Sequence, residues 1–394
     1  MLILKKIACR VVQGAFRIAT PFLPYRESNI VESYEDIGRI LHKEKIKSAL
    51  IVTRRLPKEL ESVLNQNQIK YVIYGNTKPN PTVENVEEAL KIYTENKCEA
   101  IIAIGGGSPI DCAKAVGARV AYPKKALNRL GGPLRILKKI PTLIAIPTTA
   151  GTGSEVTLAA VITDTEAQKK YALMSFPLIP DYAMLDASLT YSLPPYLTAT
   201  TGMDALTHAV EAYIGRATTR QTRALSLKAV GMIFKSLERA YIDGNDKEAR
   251  EDMLLASYKA GMAFSRSYVG YVHAIAHSLG GRYDTPHGLA NAVILPHVLE
   301  GYGSCIHKRL HELGVAAGVS DKSDSHSDGA KKFIEAIVNL NKKTNIPSKL
   351  SEIRKEDIPS LAEHAEKEAN PLYPVPRLMD KSELEAFYFK IMTK

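Results

Sequence analysis

Short apolar segments alternate with helical segments between residues 48 and 157, and this alternation restricts the fold more than any other feature of the sequence. The apolar segments are SALIVT, KYVIYG, EAIIAIGGG and PTLIAIPTT, and stretches such as VENVEEALKIYTENK lie between them. Strands that are apolar along their whole length are buried on both faces, and helical connections between them produce parallel pairing. The pattern therefore predicts an α/β domain whose parallel sheet is covered by helices on both faces.

The pattern changes near Pro194 and Pro195, after which strand-like segments largely disappear. A chain of 394 residues exceeds the size at which a single core stops growing, so two domains are expected. We predict an α/β domain over residues 28–194 and an all-helical domain over residues 195–394. Within the second domain, Ser320–Gly329 is predicted to be a polar loop, and helices are predicted over 203–214, 221–241, 247–265, 273–279, 329–344 and 381–392.

Residues 1–27 form a separate basic segment that has no acidic residue before Glu27. In a helix, the basic residues Lys6, Arg10 and Arg17 would share one face, and the other face would carry apolar side chains, namely Leu4, Ile7, Val11, Ala15 and Ile18. A mitochondrial presequence or a membrane-surface helix would have this pattern. We favour a third interpretation, an amphipathic helix packed on the domain.

The bulk composition excludes several classes of protein. The four cysteines are widely scattered without a CxxC pair, which disfavours a disulfide framework or a zinc ribbon and suits a reducing, cytoplasmic setting. The apolar segments are shorter than the roughly 20 residues of a membrane-spanning helix. The net charge of +10 is spread along the chain without the interleaved aromatic residues of a nucleic-acid groove, so we predict no nucleic-acid partner.

Two loops rich in glycine or hydroxyl residues follow predicted strands. GGGSPID, at Gly105–Asp111, ends a strand and opens a helix, where glycines and free N–H groups can receive a phosphate. A plain strand–helix turn is the alternative. PTTAGTGSEVT, at Pro147–Thr157, follows another strand and is either a self-capping loop or part of a ligand site.

Acidic and imidazole side chains recur at helical spacing in the second half. Asp204 and His208 are four residues apart, as are His273 and His277, and His287 follows Pro286. Residues four apart lie on one face of a helix, and one carboxylate with several imidazoles can surround a divalent first-row metal. A single such pair would be better explained by buried core histidines. Together they predict a metal site with five candidate ligands.

Four motifs, GGGSPID, PTTAGTGSEVT, GMDALTHAVEAY and HAIAHSLGGRYDTPHG, contain these residues. In this order and spacing they resemble the iron-containing (group III) alcohol dehydrogenase family over roughly residues 28–394. The resemblance implies a Rossmann-like nucleotide-binding domain followed by a helical metal domain, with a dehydroquinate synthase-like architecture and an active site between them. It implies that Asp204, His208, His273 and His287 bind Fe²⁺, or Zn²⁺ in some members. His277 then contacts substrate or relays a proton.

The resemblance also implies the cofactor site. The pyrophosphate of a nicotinamide cofactor would lie on Gly106, Gly107 and Ser108. Further positions on the cofactor side are Asn80, Asp111, Thr148, Thr149, Thr157 and Lys170.

One departure from the family concerns the residue after the strand ALIVT. NAD-dependent relatives often carry an aspartate there for the ribose hydroxyls, whereas this chain has Arg54, followed by Arg55. A guanidinium binds a 2′-phosphate through paired charge-assisted hydrogen bonds, so we expect NADP(H) to be favoured over NAD(H). A solvated pair of surface arginines is the alternative.

The expected function is reversible hydride transfer between a small primary alcohol or aldehyde and the nicotinamide, with the metal polarising the substrate oxygen. A glycerol dehydrogenase or a dehydroquinate synthase-like enzyme would share the architecture. A non-catalytic, metal-dependent nucleotide-binding module is the third alternative. The resemblance implies a homo-oligomer, most simply a dimer, and leaves residues 1–27 as a packing arm, a dimer contact or a targeting peptide.

Overall fold

The computed structural model describes residues 3–19, 23–167 and 169–393, which form nine strands and fourteen α-helices within this part of the chain. The strands are β1 (Asn29–Val31), β2 (Ser48–Val52), β3 (Lys70–Tyr74), β4 (Ala100–Gly105), β5 (Gly132–Pro133), β6 (Thr142–Pro147), β7 (Ala159–Asp164), β8 (Lys169–Met174) and β9 (Tyr182–Met184). The helices are α1 (Ile3–Ala19), α2 (Tyr34–Lys43), α3 (Lys58–Gln66), α4 (Val83–Glu95), α5 (Gly107–Ala121), α6 (Pro195–Ile214), α7 (Arg220–Ile242), α8 (Lys247–Ser267), α9 (Tyr271–Tyr283), α10 (His287–Tyr302), α11 (His307–Ala316), α12 (His326–Lys343), α13 (Ile358–Ala369) and α14 (Lys381–Ile391).

The chain divides into two compact units. The α/β unit contains residues 24–149 and 153–189, and the helical unit contains α1, residues 150–152 and the chain from Thr190 onward. The loop PTTAGTGSEVT thus contributes residues to both units.

The α/β unit contains a six-stranded sheet with the order β1-β9-β6-β4-β2-β3, in which every pairing is parallel. This confirms the predicted parallel sheet. Its strands are buried on both faces because alternate side chains enter different cores: Leu50 and Val52 of β2 pack into one, Ala49 and Ile51 into the other. A second, three-stranded sheet of β5, β8 and β7 was not expected from the sequence.

Besides α1, the described part of the helical unit contains helices at all six predicted segments and three more, α10, α11 and α13. Helix α10 buries ten of its sixteen residues and so lacks a polar face that a periodic pattern could reveal. Helix α13 does have a regular buried face, which contains Ile358, Leu361 and Ala365, and the sequence analysis overlooked it. The prediction of a loop over all of Ser320–Gly329 is wrong at its end. Ser325 accepts a hydrogen bond from the Asp328 N–H at 3.1 Å, and this cap starts α12 at His326.

Among the described residues, no helix is both long and apolar enough to cross a lipid bilayer.

Candidate metal centre and cofactor turn

The metal candidates meet inside the helical unit. Asp204, His208, His273 and His287 bring four ligand atoms within 4.8 Å of one another, and all but His287 are buried. The Asp204 Oδ1 atom lies 3.4 Å from His287 Nε2 and 3.9 Å from His273 Nε2. The structure therefore brings together the four residues named as metal ligands, drawn from three different helices.

Helix α6 supplies two of these side chains because it is buried along most of its length. Asp204, His208 and Glu211 stand at positions i, i+4 and i+7, so they share one face of this helix. The ring of His208 stacks on that of His273 at 4.5 Å between centroids and on Phe264 at 4.0 Å. This packing holds the His208 ring in one orientation.

Glu211 fixes the third candidate ligand, His273, and was missed by the sequence analysis. Its carboxylate accepts hydrogen bonds at 2.8 Å from the backbone N–H groups of Gly270 and Val272, so it caps the start of α9. The same carboxylate lies 2.6 Å from His273 Nδ1, which leaves Nε2 of that ring facing the cluster. Carboxylates paired with a metal-ligating histidine in this way set its tautomer and orientation.

Helix α10 supplies His287 at its first turn. A Cβ at Gly288 would lie 2.3 Å from the carbonyl oxygen of Thr200, so only glycine lets this turn approach α6 so closely. One turn later, the Asn291 Nδ2 atom lies 2.7 Å from Asp204 Oδ1 and 3.1 Å from His287 Nε2. Asn291 also was missed, although its i+4 spacing from His287 is a readable signal.

The donor set suits a divalent transition metal. Burial lowers the pKa of His208, and it lowers the pKa of His273 far below the ordinary value, so both imidazoles are neutral near pH 7, as ligation requires. Buried Asn291 adds an amide oxygen that has no hydrogen-bond partner among the described residues. Three imidazoles and one carboxylate are ligands that both Fe²⁺ and Zn²⁺ accept, so the residues present fit the metal.

His277 lies beside this cluster on α9. Its ring stacks against that of His287 at 5.2 Å between centroids, and its Nδ1 atom lies 2.6 Å from Glu368 Oε1. Removal from water opposes the charged imidazole, but the charge and hydrogen bond of Glu368 outweigh this and raise the pKa of His277. The side chain is 39% exposed, so it remains open to solvent. Glu368 is far away in sequence, and no local motif indicates it.

The cofactor candidates follow three adjacent strands of the α/β unit. Arg54 follows β2, Gly106 and Gly107 follow β4, and Thr148 follows β6. These strands are neighbours in a parallel sheet, so their carboxyl ends lie at one edge, where open α/β sheets bind ligands. The structure thus places these residues along one edge of the sheet.

The glycine turn leaves backbone groups available. Gly106 is the N-cap of α5 and makes no side-chain capping bond, and a Cβ there would lie 3.2 Å from Thr149 Cγ2 and Oγ1. The Ser108 hydroxyl accepts a hydrogen bond at 3.2 Å from the backbone N–H of Asn80. The arrangement combines a helix N-terminus with a side-chain-free approach, the features that bind phosphate groups.

Two further candidates are engaged within the protein. Asp111 is partly buried and accepts hydrogen bonds from the Ser154 hydroxyl at 2.6 Å and the Val161 N–H at 2.9 Å. The Thr157 hydroxyl accepts a hydrogen bond at 3.0 Å from Lys114 Nζ, a fully buried ammonium group that was not singled out from the sequence. These side chains hold the loop after β6 in place. Lys170 lies in β8, opposite Thr163 of β7.

Arg54 lies exposed at the start of the loop after β2. Its Nη2 atom donates a hydrogen bond to the carbonyl oxygen of Thr77 at 3.3 Å. The rest of the guanidinium remains accessible.

Comparison with known proteins places both units in one family. The family model for iron-containing alcohol dehydrogenases matches residues 30–187, and the model for the C-terminal part of the Fe-containing alcohol dehydrogenase family matches residues 198–392. Alcohol dehydrogenase 4 of Saccharomyces cerevisiae is 41% identical over 341 residues, which cover 84% of this chain and 87% of the yeast protein. Lactaldehyde reductase of Escherichia coli K12 is 41% identical over 300 residues, covering 75% of this chain and 78% of that enzyme.

A solved structure shows the same fold. The crystal structure of a 1,3-propanediol oxidoreductase matches with a TM-score of 0.89 and 34% sequence identity, covering 93% of this chain and 99% of that chain.

Proposed function

The chain belongs to the iron-containing alcohol dehydrogenase family, and we propose that Asp204, His208, His273 and His287 hold the metal on which its alcohol and aldehyde chemistry depends. The observation that carries this proposal is the convergence of their four ligand atoms within 4.8 Å inside the helical unit. The hydrogen bonds of Glu211 and Asn291 support it, since both side chains orient ligands of the cluster.

The reaction is hydride transfer between a small primary alcohol or aldehyde and a nicotinamide cofactor. A divalent metal supplies a Lewis acid that polarises the alcohol or carbonyl oxygen. His277 relays the hydroxyl proton: Glu368 holds Nδ1 of its ring at 2.6 Å, which leaves Nε2 to exchange a proton with substrate or water. The His277→Ala variant should retain metal and lose turnover; a metal-free His277→Ala protein would contradict this role.

For the cofactor, the pyrophosphate lies on the N–H groups of Gly106, Gly107 and Ser108. The absence of a side-chain cap at α5 supports this assignment, because the first N–H groups of the helix then remain available. Asn80, Thr148 and Thr149 line the same turn, whereas Asp111 and Thr157 act by holding the neighbouring loop.

NADP(H) is favoured over NAD(H) because Arg54, rather than a carboxylate, follows β2. Its guanidinium is exposed and anchored by one bond to Thr77, which leaves donors for a 2′-phosphate. The test is the ratio of kcat/KM for NADPH and NADH. Arg54→Asp should invert it, whereas Lys43→Asp should not, because Lys43 lies in the last turn of α2, before the amino end of β2. A wild-type enzyme that prefers NADH would contradict the proposal.

The metal is Fe²⁺ or Zn²⁺, the protein acts in the cytoplasm, and it assembles as a homodimer. Edge strand β1 supports a dimer, since β9 pairs with one side of it and Ile30 is 53% exposed.

The experiment that tests the function combines metal analysis with turnover. Protein purified without oxygen should contain close to one iron or zinc per chain and should oxidise NADPH with butanal. Metal removal should abolish turnover, and Fe²⁺ or Zn²⁺ should restore it. Protein that takes up neither ion would contradict the assignment of all four ligands.

A further inference from the structure

Helix α1 packs against the helical unit with its polar side. Cys9 and Gln13 are buried, whereas Leu4, Val11 and Ile18 are 80%, 65% and 72% exposed. Amphipathic helices at the surface of a soluble domain normally bury the apolar face instead. The expected packed helix is therefore present, but it faces the other way.

Specific hydrogen bonds hold this orientation. Arg10 donates from Nη1 to the carbonyl oxygen of Val375 and from Nη2 to that of Pro376, each at 2.9 Å. Gln13 donates from Nε2 to the carbonyl oxygen of Tyr373 at 2.7 Å, and it accepts a bond from Arg10 at 2.7 Å. Reversing the helix would break these bonds, so the outward apolar face is part of the fold.

The exposed side chains form one continuous stripe. With about 100° of rotation per residue, Leu4, Ile7, Val11 and Ile18 fall within an arc of about 60°. Ile7 is 55% exposed, so all four face outward. The stripe follows the length of the 17-residue helix, about 25 Å.

Basic residues flank this stripe. Lys6, Arg10 and Arg17 lie together on one side of it, and no acidic residue precedes Glu27. An apolar stripe bordered by cations is the arrangement of helices that lie in the plane of an anionic membrane surface. A second copy of the chain fits less well, since isologous pairing of α1 would bring two sets of cations together on chains that each carry a net charge of +10.

We propose that α1 is an interfacial helix that binds this enzyme to the surface of an anionic lipid bilayer. The helix lies parallel to the surface, with its four aliphatic side chains in the headgroup and acyl boundary and the cations of Lys6 and Arg17 against lipid phosphates. Arg10 instead holds the helix to the protein. This inference is independent of the metal and cofactor assignments and adds a site of action to the catalytic function.

The test is flotation of the full-length holoenzyme with vesicles. Wild type should bind vesicles of phosphatidylcholine with phosphatidylglycerol about tenfold more tightly than phosphatidylcholine alone, and added salt should weaken binding. The variant L4S/I7S/V11S/I18S should lose binding about tenfold or more. Ile242→Ser is the matched control, because Ile242 on α7 is 75% exposed and should not matter.

Reversing the flanking charge separates the two contributions. K6E/R17E should abolish the preference for anionic vesicles, and butanal reduction should be unchanged in every variant, which verifies folding. Equal binding by wild type and the serine variant would overturn the proposal. So would a wild type that ignores vesicles while the serine variant alone shows a smaller mass by light scattering, since a second copy would then cover the stripe.

Discussion

The metal cluster suits a cation and the glycine turn suits an anion. The first is built from side chains and the second from the backbone. The cluster on α6, α9 and α10 uses side chains, and neighbouring side chains such as the Glu211 carboxylate must hold them in place. The turn before α5 uses backbone N–H groups and requires side chains to be missing. The candidate cation site therefore depends on side chains that are present, and the candidate anion site depends on side chains that are absent.

This difference extends to the groups that support each site. Glu211 and Asn291 touch metal candidates directly, so their loss should change ligand geometry. Lys114 clamps the loop after β6 to α5 through three hydrogen bonds, two to Thr157 and one to Ala159. Its loss should change the stability of the α/β unit before it changes cofactor chemistry.

The largest effect is expected for Asp204→Asn. This change keeps the shape of the side chain and its contact with Asn291 but removes the only carboxylate among the four proposed ligands. Loss of the metal should lower kcat/KM about 10³-fold, since a Lewis acid contributes several kcal/mol to the transition state. Elemental analysis and turnover check this. Asp328→Asn, at an exposed position in the first turn of α12, should leave both unchanged. A fully metallated Asp204→Asn enzyme would refute the ligand set.

Lys114→Met tests the clamp. Lys114 Nζ donates to the carbonyl oxygens of Thr157 and Ala159, each at 2.8 Å, and methionine would remove both of these hydrogen bonds. The free energy of unfolding of the α/β unit should fall by about 3 kcal/mol. Urea unfolding measures it, with exposed Lys91→Met on α4 as a control that should change stability by about 0.5 kcal/mol or less.

The same variant has a pH signature. Burial lowers the pKa of Lys114 from 10.5 to about 8, against the opposing charges of Asp111 and Glu155. Between these values the unfolded chain binds the proton and the folded chain does not, so stability contributed by this residue rises with pH. Wild type should show this slope between about pH 8 and 10.5, and Lys114→Met should lack it. An identical slope in both proteins would remove Lys114 from the explanation.

The two sites also differ in how far the sequence could predict them. The i,i+4 spacing places Asp204 and His208 on one face once that segment is helical. A strand, three glycines and a helix in sequence form an anion-binding turn once the strand lies in a parallel sheet. The helix follows from local spacing and the parallel sheet from the repeated alternation of strand and helix, so both conditions were predictable. Glu368 reaches His277 across 91 residues, and Arg10 reaches Val375 across 365, so only the tertiary fold reveals them.

The orientation of α1 was unpredictable for a related reason. Its apolar periodicity is clear, but periodicity tells which residues share a face and not which face is covered. Polar acceptors at residues 373–376 decide the question, and nothing in the N-terminal segment indicates them.

Glu211→Gln is the next prediction in size. A glutamine amide can donate to Nδ1 of His273, which would place the ring proton on Nε2, the atom that faces the cluster. Metal affinity should fall about 10- to 100-fold, measured by competition with a chelator. Glu312→Gln is the control: its carboxylate accepts a hydrogen bond from Tyr213, near the end of the same α6, and contacts no metal candidate. Unchanged affinity in Glu211→Gln would show that the cluster needs no such support.

The smallest effect, and the sharpest test of the contrast, is expected for Gly106→Ala. One methyl group would lie 3.2 Å from Thr149 and would intrude where a phosphate approaches the N–H groups of α5. The dissociation constant of the cofactor should rise about tenfold, while metal content stays constant. Gly281→Ala is the matched control, because a Cβ there meets nothing within 4 Å, although Gly281 lies on α9 with His273. If the anion site depends on absence, a single added carbon must matter at Gly106 and not at Gly281. Equal cofactor affinity in both variants would mean that the pyrophosphate is held by side chains, and the two sites would then be built alike.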